Sequence, residues 1–238
     1  MSENQKHLVL ASHQPDFFPW MGYFYKIFQS DIFVFSDNVQ YSKTGMHNYN
    51  YILTNNGKLR VTLPIHYHVA NLNELYIAED FSWIRKTLKT LEMEYSKAAH
   101  FEEAYPVIED LITSCNDLND LATFNTLCII RLCMLFGLGE KGRLFQMSSD
   151  LDLKNRKDAR IIEMCKRFNA DTYYSGAGAK DYHIEEDYAK NGIKLVYSDY
   201  KPVIYPQVAK APALNMSVID YVMNCGFELP KEWKRLYE

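Results

Sequence analysis

The stretch that decides the fold is "HLVLASHQPDFFPWMGYFYKIFQSDIFVFS", residues 7–36. It opens on a short apolar run, "HLVLAS" (7–12), and closes on a second, "IFVFS" (32–36). Short apolar runs bounded by polar residues read as buried strands. Between them "WMGYFYKIFQS" (20–30) sets Trp20, Phe24 and Ile27 at helical spacing, which reads as a helix ending near Ser30. Pro19 fits the first helical turn, where its missing N–H costs nothing. Strand, loop, helix and strand within about 30 residues is the spacing of a βαβ unit, whose two strands run parallel.

Outward from this unit the pattern changes twice. "DNVQYSKTGMHNYNYI" (37–52) is a polar loop, and "YNYILTNNGKLRVTLPI" (49–65) is two alternating runs around Asn56-Gly57, a strong hairpin signal. "ELYIA" (74–78) reads as a further strand. Three helical segments follow at 81–98, 101–115 and 118–136, with Asp80 as a cap, Pro106 inside the second and Gly137 as the stop of the third,. The α/β pattern then resumes. Strands are expected at 142–149, 171–176 and 193–198, helices at 156–168, around "EEDYAKNG", at "SVIDYVMNCG" and at "PKEWKRLY",. The fold class is α/β: a mostly parallel sheet with an N-terminal βαβ unit, a β-hairpin near 49–65 and a helical insertion near 80–140, read as one domain over 1–238.

Composition bounds the function. At 238 residues a chain buries roughly 70–75% of the surface its unfolded form exposes, so no disulfide or metal is needed for stability. The five cysteines (Cys115, Cys128, Cys133, Cys165, Cys225) are scattered, without the C-x-x-C spacing of a zinc site,; they read as reduced core thiols. His66 and His68 share a strand face, but no third metal ligand is evident. Net charge is −4 and no lysine/arginine block occurs, which excludes a generic nucleic-acid footprint. No apolar run is long enough for membrane insertion. "MSENQKHLVLAS" lacks the charged n-region and apolar h-region of a signal peptide,, so the expected location is cytoplasmic. Eighteen tyrosines supply flat faces with a hydroxyl, suited to gripping sugars or bases.

In open parallel sheets ligands bind outside the carboxyl ends of strands, so loops after strands should carry the chemistry. In the first, "HQPDFFPW", His13 is the candidate base, with Gln14 and Asp16 beside it and Pro15 and Pro19 as stiffeners,. In the second, Asp37, Gln40, Lys43, His47 and Asn48 are candidates to hold a polar or anionic substrate,. In the third, "YYSGAGAKDY", the small residues Ser175, Gly176, Ala177 and Gly178 let backbone N–H groups approach an anion, with Lys180 alongside,. The Walker A pattern is absent.

"HQPDFFPWMGYFYKI" and "SDIFVFSDNVQYSKTGMHNYNYI" resemble the opening of the WbqC-like family of bacterial proteins. "SSDL", "DARIIEMCKRFNADTYYSGAGAKDY", "IKLVYSDYKPVIYPQ" and "NMSVIDYVMNCG" carry the likeness through almost the whole chain. The chain departs from the family after Lys43, where Thr44, Gly45, Met46 and His47 stand in place of a basic pattern. The resemblance implies a small cytoplasmic enzyme acting on glycan precursors, in gene clusters for O-antigen (lipopolysaccharide) and other surface polysaccharides. It carries motif positions onto His13, Gln14, Pro15, Pro19, Trp20, Gly22, Lys26, Asp37, Gln40, Lys43, Asn48, Tyr174, Ser175, Gly176, Gly178, Tyr182, Tyr205, Gln207, Asp220 and Gly226.

The leading expectation is a transferase forming an amide at the amine of a nucleotide-linked amino sugar. His13, Gln14 and Asp16 form its catalytic group. The substrate-binding set is Trp20, Lys26, Asp37, Gln40, Lys43, His47, Asn48, Tyr174, Ser175, Gly176, Gly178, Lys180, Tyr182 and Gln207. The backbone of 175–178 would meet the oxyanion, and Lys43 and Lys180 the pyrophosphate. No Ser-His-Asp or Cys-His spacing is evident in the sequence, so the expected transfer is direct, from an activated acyl or aminoacyl donor, which a carrier could present. No metal or resident cofactor is expected; a homo-oligomer is compatible. A second expectation is an ATP-dependent nucleotidyltransferase or ligase of the HIGH type, although "HQPDFFPWMGYFYK" lacks the paired H-x-G-H. A third is a non-catalytic glycan-precursor binding protein.

Overall fold

The computed structural model describes residues 7–139 and 142–237. The βαβ unit is β1 (Val9–His13), α1 (Met21–Gln29) and β2 (Ile32–Phe35), with β1 and β2 parallel and in register from Leu10↔Ile32 to His13↔Phe35. A hairpin follows, β3 (Tyr49–Thr54) and β4 (Gly57–Thr62), then a two-residue pair, β5 (Ile65–His66) with β6 (Tyr76–Ile77). The helical insertion is α2 (Ser82–Tyr95), α3 (Phe101–Thr113) and α4 (Leu121–Leu135). The chain then returns through β7 (Leu144–Met147), α5 (Lys157–Arg167), β8 (Thr172–Ser175), α6 (Glu185–Lys190) and β9 (Lys194–Tyr197), and closes with α7 (Val218–Cys225).

The main sheet is five-stranded and parallel, in the order β7-β2-β1-β8-β9. The chain therefore builds outward from β1 to one edge, then returns to the other side of β1 with β8. That reversal is a topological switch point, where a crevice opens at the carboxyl ends of the two strands. Side-chain alternation covers both faces. Val9, Ala11, Phe33, Phe35 and Tyr174 belong to a core with α1, α4 and α7, while Leu10, Ile32, Val34 and Tyr173 belong to a second with α5 and α6. Strands buried on both faces read as continuous apolar runs, as "LVLA" and "IFVF" do. No helix among the described residues is long and apolar enough to cross a membrane.

Three local expectations are corrected. Pro19 lies outside the helix: Trp20 is the N-cap and α1 begins at Met21. The two-residue hairpin turn is Asn55-Asn56, one position earlier than expected, and Gly57 takes the left-handed step at φ +99° as the first residue of β4, a glycine placement that closes a turn without a Cβ clash. "PKEWKRLY" is not a helix. Its Lys234 carbonyl and Leu236 N–H are bound by the Gln29 side chain, Arg235 pairs with Asp31 at 2.8 Å, and Trp233 packs on Tyr25 and Phe28. Those partners use backbone groups that a helix would need for itself.

Candidate functional site

The β1–α1 loop is held rigidly by elements far away in sequence. Asn125 of α4 donates to the Pro15 and His47 carbonyls, and Asn50 of β3 donates to the Phe17 and Phe18 carbonyls. Ser217, the N-cap of α7, also donates to the Phe18 carbonyl, and the Phe17 N–H donates to Met46. Phe17 and Phe18 are fully buried, and Phe18 is held at φ +39°. A bulky residue persists in that region only when its surroundings impose it, at about 1–3 kcal/mol. The hairpin, α4 and α7 thus hold the loop that presents His13.

A cleft of about 720 Å³ opens at the switch point,. Four strands supply its floor at their carboxyl ends: Ser12 and His13 of β1, Ser36 after β2, Ser175 of β8 and Ser198 after β9. Helices from the two faces of the sheet supply its walls, with Trp20, Gly22, Tyr23 and Lys26 on one side and Lys157, Arg160, Ile161 and Met164 on the other. Gly22 is required by Trp20: a Cβ there would meet the indole at 2.2 Å. Gly176 and Gly178 are different. Neither has a positive φ, and a Cβ on either would meet nothing within 4 Å, so the space they leave is cleft space.

His13 is a one-sided imidazole. Its Nδ1 lies 3.1 Å from the Gln14 carbonyl, which can only accept, so Nδ1 carries the proton and Nε2 keeps its lone pair,. Burial lowers its pKa below the ordinary 6.5, and Lys26 adds to the lowering, against Asp16, which raises it. The Tyr23 ring packs edge-on at 4.9 Å, and Tyr23 donates to the same Gln14 carbonyl. Asp16 sits beneath, buried, 2.8 Å from Nδ1 of His47 and 3.7 Å from Nδ1 of His13. Lys26 is buried and donates to the Ser12 carbonyl at 2.7 Å; burial brings its pKa down to about 8.

Across the crevice stands a second hydrogen-bonded chain. Ser175 Oγ is 2.8 Å from His183 Nε2, and His183 Nδ1 is 2.7 Å from Asp158 Oδ1. The Ile184 N–H binds Asp158 Oδ2 at 2.8 Å and the Tyr188 hydroxyl donates to Oδ1 at 3.1 Å. Burial would raise the Asp158 pKa, but the bonds from Ile184, His183 and Tyr188 hold it below the usual carboxylate value. Sequence spacing gave no sign of this arrangement. The structure makes it by joining β8, the 3-10 turn after it and the first turn of α5.

Of the residues expected at the site, His13, Gln14, Trp20, Lys26, Ser175, Gly176 and Gly178 line one cleft. Asp16 and His47 lie behind it as a buried pair. Asp37 is buried against Ser148 and the Ser149 N–H, tying the end of β2 to the turn after β7. Asn48 accepts from Tyr41 and donates to Leu63, Gln40 bridges to Asn71, and Lys43 lies 4.4 Å over the Tyr67 ring. Tyr174 is buried on the other face of β8, with its hydroxyl 3.5 Å from Asp199. Gln207 binds Asp220 and Ala213, while Lys180 and Tyr182 are exposed on the turn beyond Gly178 and do not line the cleft. The cleft residues that sequence reasoning missed are Lys157, Arg160, His183 and Tyr200, with Asp158 behind them. His183 had a signal: it follows directly on the glycine-rich "SGAGAKDY". Lys157 and Arg160 had only their place at a helix start. Lys157 is held at φ +53°, and Arg160 is anchored by Asn38 Oδ1.

Among the described residues, no group of three or more His, Cys, Asp or Glu is placed to hold a metal. Burial pushes the thiols of Cys128 and Cys133 up, and those of Cys115 and Cys225 to about 11 and Cys165 to about 12. None is a thiolate at neutral pH.

Comparison with known proteins adds two findings. A family model, described as the WbqC-like protein family, matches residues 14–232. A Mycobacterium tuberculosis (strain ATCC 25618 / H37Rv) protein described as "Uncharacterized protein Rv1507c" is 28% identical over 226 residues, 93% of this chain and 95% of that one. No solved structure matches the chain significantly.

Proposed function

The chain belongs to the WbqC-like protein family, and on that footing we propose a cytoplasmic transferase of O-antigen or other surface-polysaccharide precursor synthesis. It moves an acyl or aminoacyl group onto the amine of a nucleotide-linked amino sugar. The observation that carries this reading is the pairing of walls. A neutral imidazole with a free Nε2 lone pair, His13, shares one cleft with two cations, Lys157 and Arg160. A base near neutrality suits removal of a proton from an attacking ammonium. An arginine with most of its donors unspent suits a pyrophosphate. Trp20 and Tyr200, packed edge-on at 5.1 Å on the cleft wall, offer aromatic surface for a sugar or base. The space left by Gly176 and Gly178 admits the acyl carbonyl close to the backbone,.

The test is mass spectrometry of UDP-linked amino sugars incubated with the protein and acyl or aminoacyl thioester donors, with and without ATP. An amide product should form without ATP, lowered about 10²–10⁴-fold by His13→Ala. Turnover that requires ATP and releases pyrophosphate would replace it with adenylate chemistry. Binding of the sugar with no product from any donor would make the protein a binding module.

A further inference from the structure

Ser175 is the last residue of β8, in the floor of the cleft. Its backbone carbonyl already accepts from the Ser198 N–H at 2.8 Å, so the end of β8 is satisfied without the side chain. Its hydroxyl instead points at Nε2 of His183. The direction of that bond is fixed from behind. Asp158, ionised, can only accept, so His183 Nδ1 carries the ring proton and Nε2 is the acceptor for the serine O–H,. The carboxylate cannot turn away, because the Ile184 N–H holds one oxygen and the Tyr188 hydroxyl the other. The side chains of His183 and Asp158 are 8% and 14% exposed, which shields the relay from water. Both Ser175 and His183 nevertheless open on the cleft. A nucleophile with a base in hydrogen-bond reach, and a third group orienting the base, is the arrangement that activates a hydroxyl.

We propose that Ser175 is a nucleophile that carries the acyl group covalently between donor and acceptor. The proposal rests on the acyl-transfer reading above and puts a covalent step in place of direct transfer. Ser175 Oγ attacks the carbonyl carbon of an ester or thioester donor while its proton passes to His183 Nε2. The tetrahedral adduct collapses, the donor's alcohol or thiol leaves with that proton, and Ser175 is left as an ester. The acceptor amine then attacks this ester and gives a proton to His183 Nε2; the amide forms as the bond from carbon to Oγ breaks, and His183 passes that proton to Oγ. Asp158 is a positioning residue that fixes the tautomer of His183. The buried cysteines do not compete, since none is ionised near neutrality,.

The experiment uses the full chain and p-nitrophenyl acetate near neutral pH, quenched in acid and read by intact-protein and peptide mass spectrometry. One acetyl group should appear, on Ser175. Ser175→Ala should remove it, and Ser175→Cys, close in size, should be acetylated on sulfur. His183→Ala should slow acylation about 10²–10⁴-fold. Asp158→Asn should slow the rate constant for acylation with little change in the KM for p-nitrophenyl acetate, and Asp158→Glu should restore part of that rate. A wild-type protein that stays unmodified, or an acetyl group on Lys26 or Cys225 instead, overturns the proposal. The two readings fail separately. Amide formation in single turnover with no Ser175 ester removes the nucleophile and leaves the transferase. A Ser175 ester that no nucleotide-linked amino sugar discharges removes the acceptor assignment and leaves the nucleophile.

Discussion

His13 and Lys26 approach the cleft from opposite electrostatic positions, and their titrations bracket its working range. Burial lowers the His13 pKa, so the base is free above a value under 6.5, and turnover should rise with pH through that value and level off near neutrality. Lys26 loses its proton at about 8. Affinity for a phosphorylated acceptor should therefore weaken above that pH in the native protein, and Lys26→Met should lack this limb. The same residue makes a stability prediction. Its folded pKa lies below the unfolded 10.5, so the unfolded chain binds the proton more tightly, and burying the charge costs stability below about pH 8. The cost fades as pH rises to 10.5. Lys26→Met should raise unfolding free energy near neutrality by up to about 3 kcal/mol, offset in part by the Ser12 carbonyl it leaves,. Denaturant unfolding at two pH values checks both sign and window. At Gly22 the effect is steric: Gly22→Ala forces the Trp20 indole off the helix start and should raise KM for the sugar substrate far more than it lowers Tm.

At the scale of elements, the insertion acts on the site through hydrogen bonds rather than through its own chemistry. Asn125 of α4 is buried and serves two loop carbonyls. Asn125→Ala should cost about 1–3 kcal/mol, the penalty for unpaired buried groups, and should lower kcat because His13 is no longer held. Unfolding and turnover measured on one preparation check both. The βαβ unit, hairpin and helical insertion were legible because each is a local pattern: apolar runs, an Asn-Gly turn signal, 3.6-residue periodicity. "PKEWKRLY" carries the same kind of local signal without forming a helix. Its amphipathic pattern is real, but Gln29 and Asp31, some 200 residues upstream, take its polar groups. No local rule reports a partner at that distance.

For the whole molecule, the order β7-β2-β1-β8-β9 matters most, because it places the β1 and β8 loops side by side. The sequence pointed to each of these loops separately, and His13 and Ser175, at the ends of β1 and β8, line the cleft. Those a few residues further along their loops, such as Lys43 and Lys180, lie off the cleft. The pairing of His183 with Asp158, 25 residues apart on separate elements, needed the tertiary fold. A preformed cleft binding only the native state should also show linkage: a UDP-linked amino sugar at 100 times its Kd should stabilise the protein by about 2.7 kcal/mol, read as a rise in Tm. The most direct test of the switch-point site is a crystal structure of the protein soaked with that sugar. Density should appear in the cleft, with the diphosphate against Lys157 and Arg160 and the sugar amine within about 3 Å of His13 Nε2. Density elsewhere, for example against Tyr25 and Trp233, would contradict it.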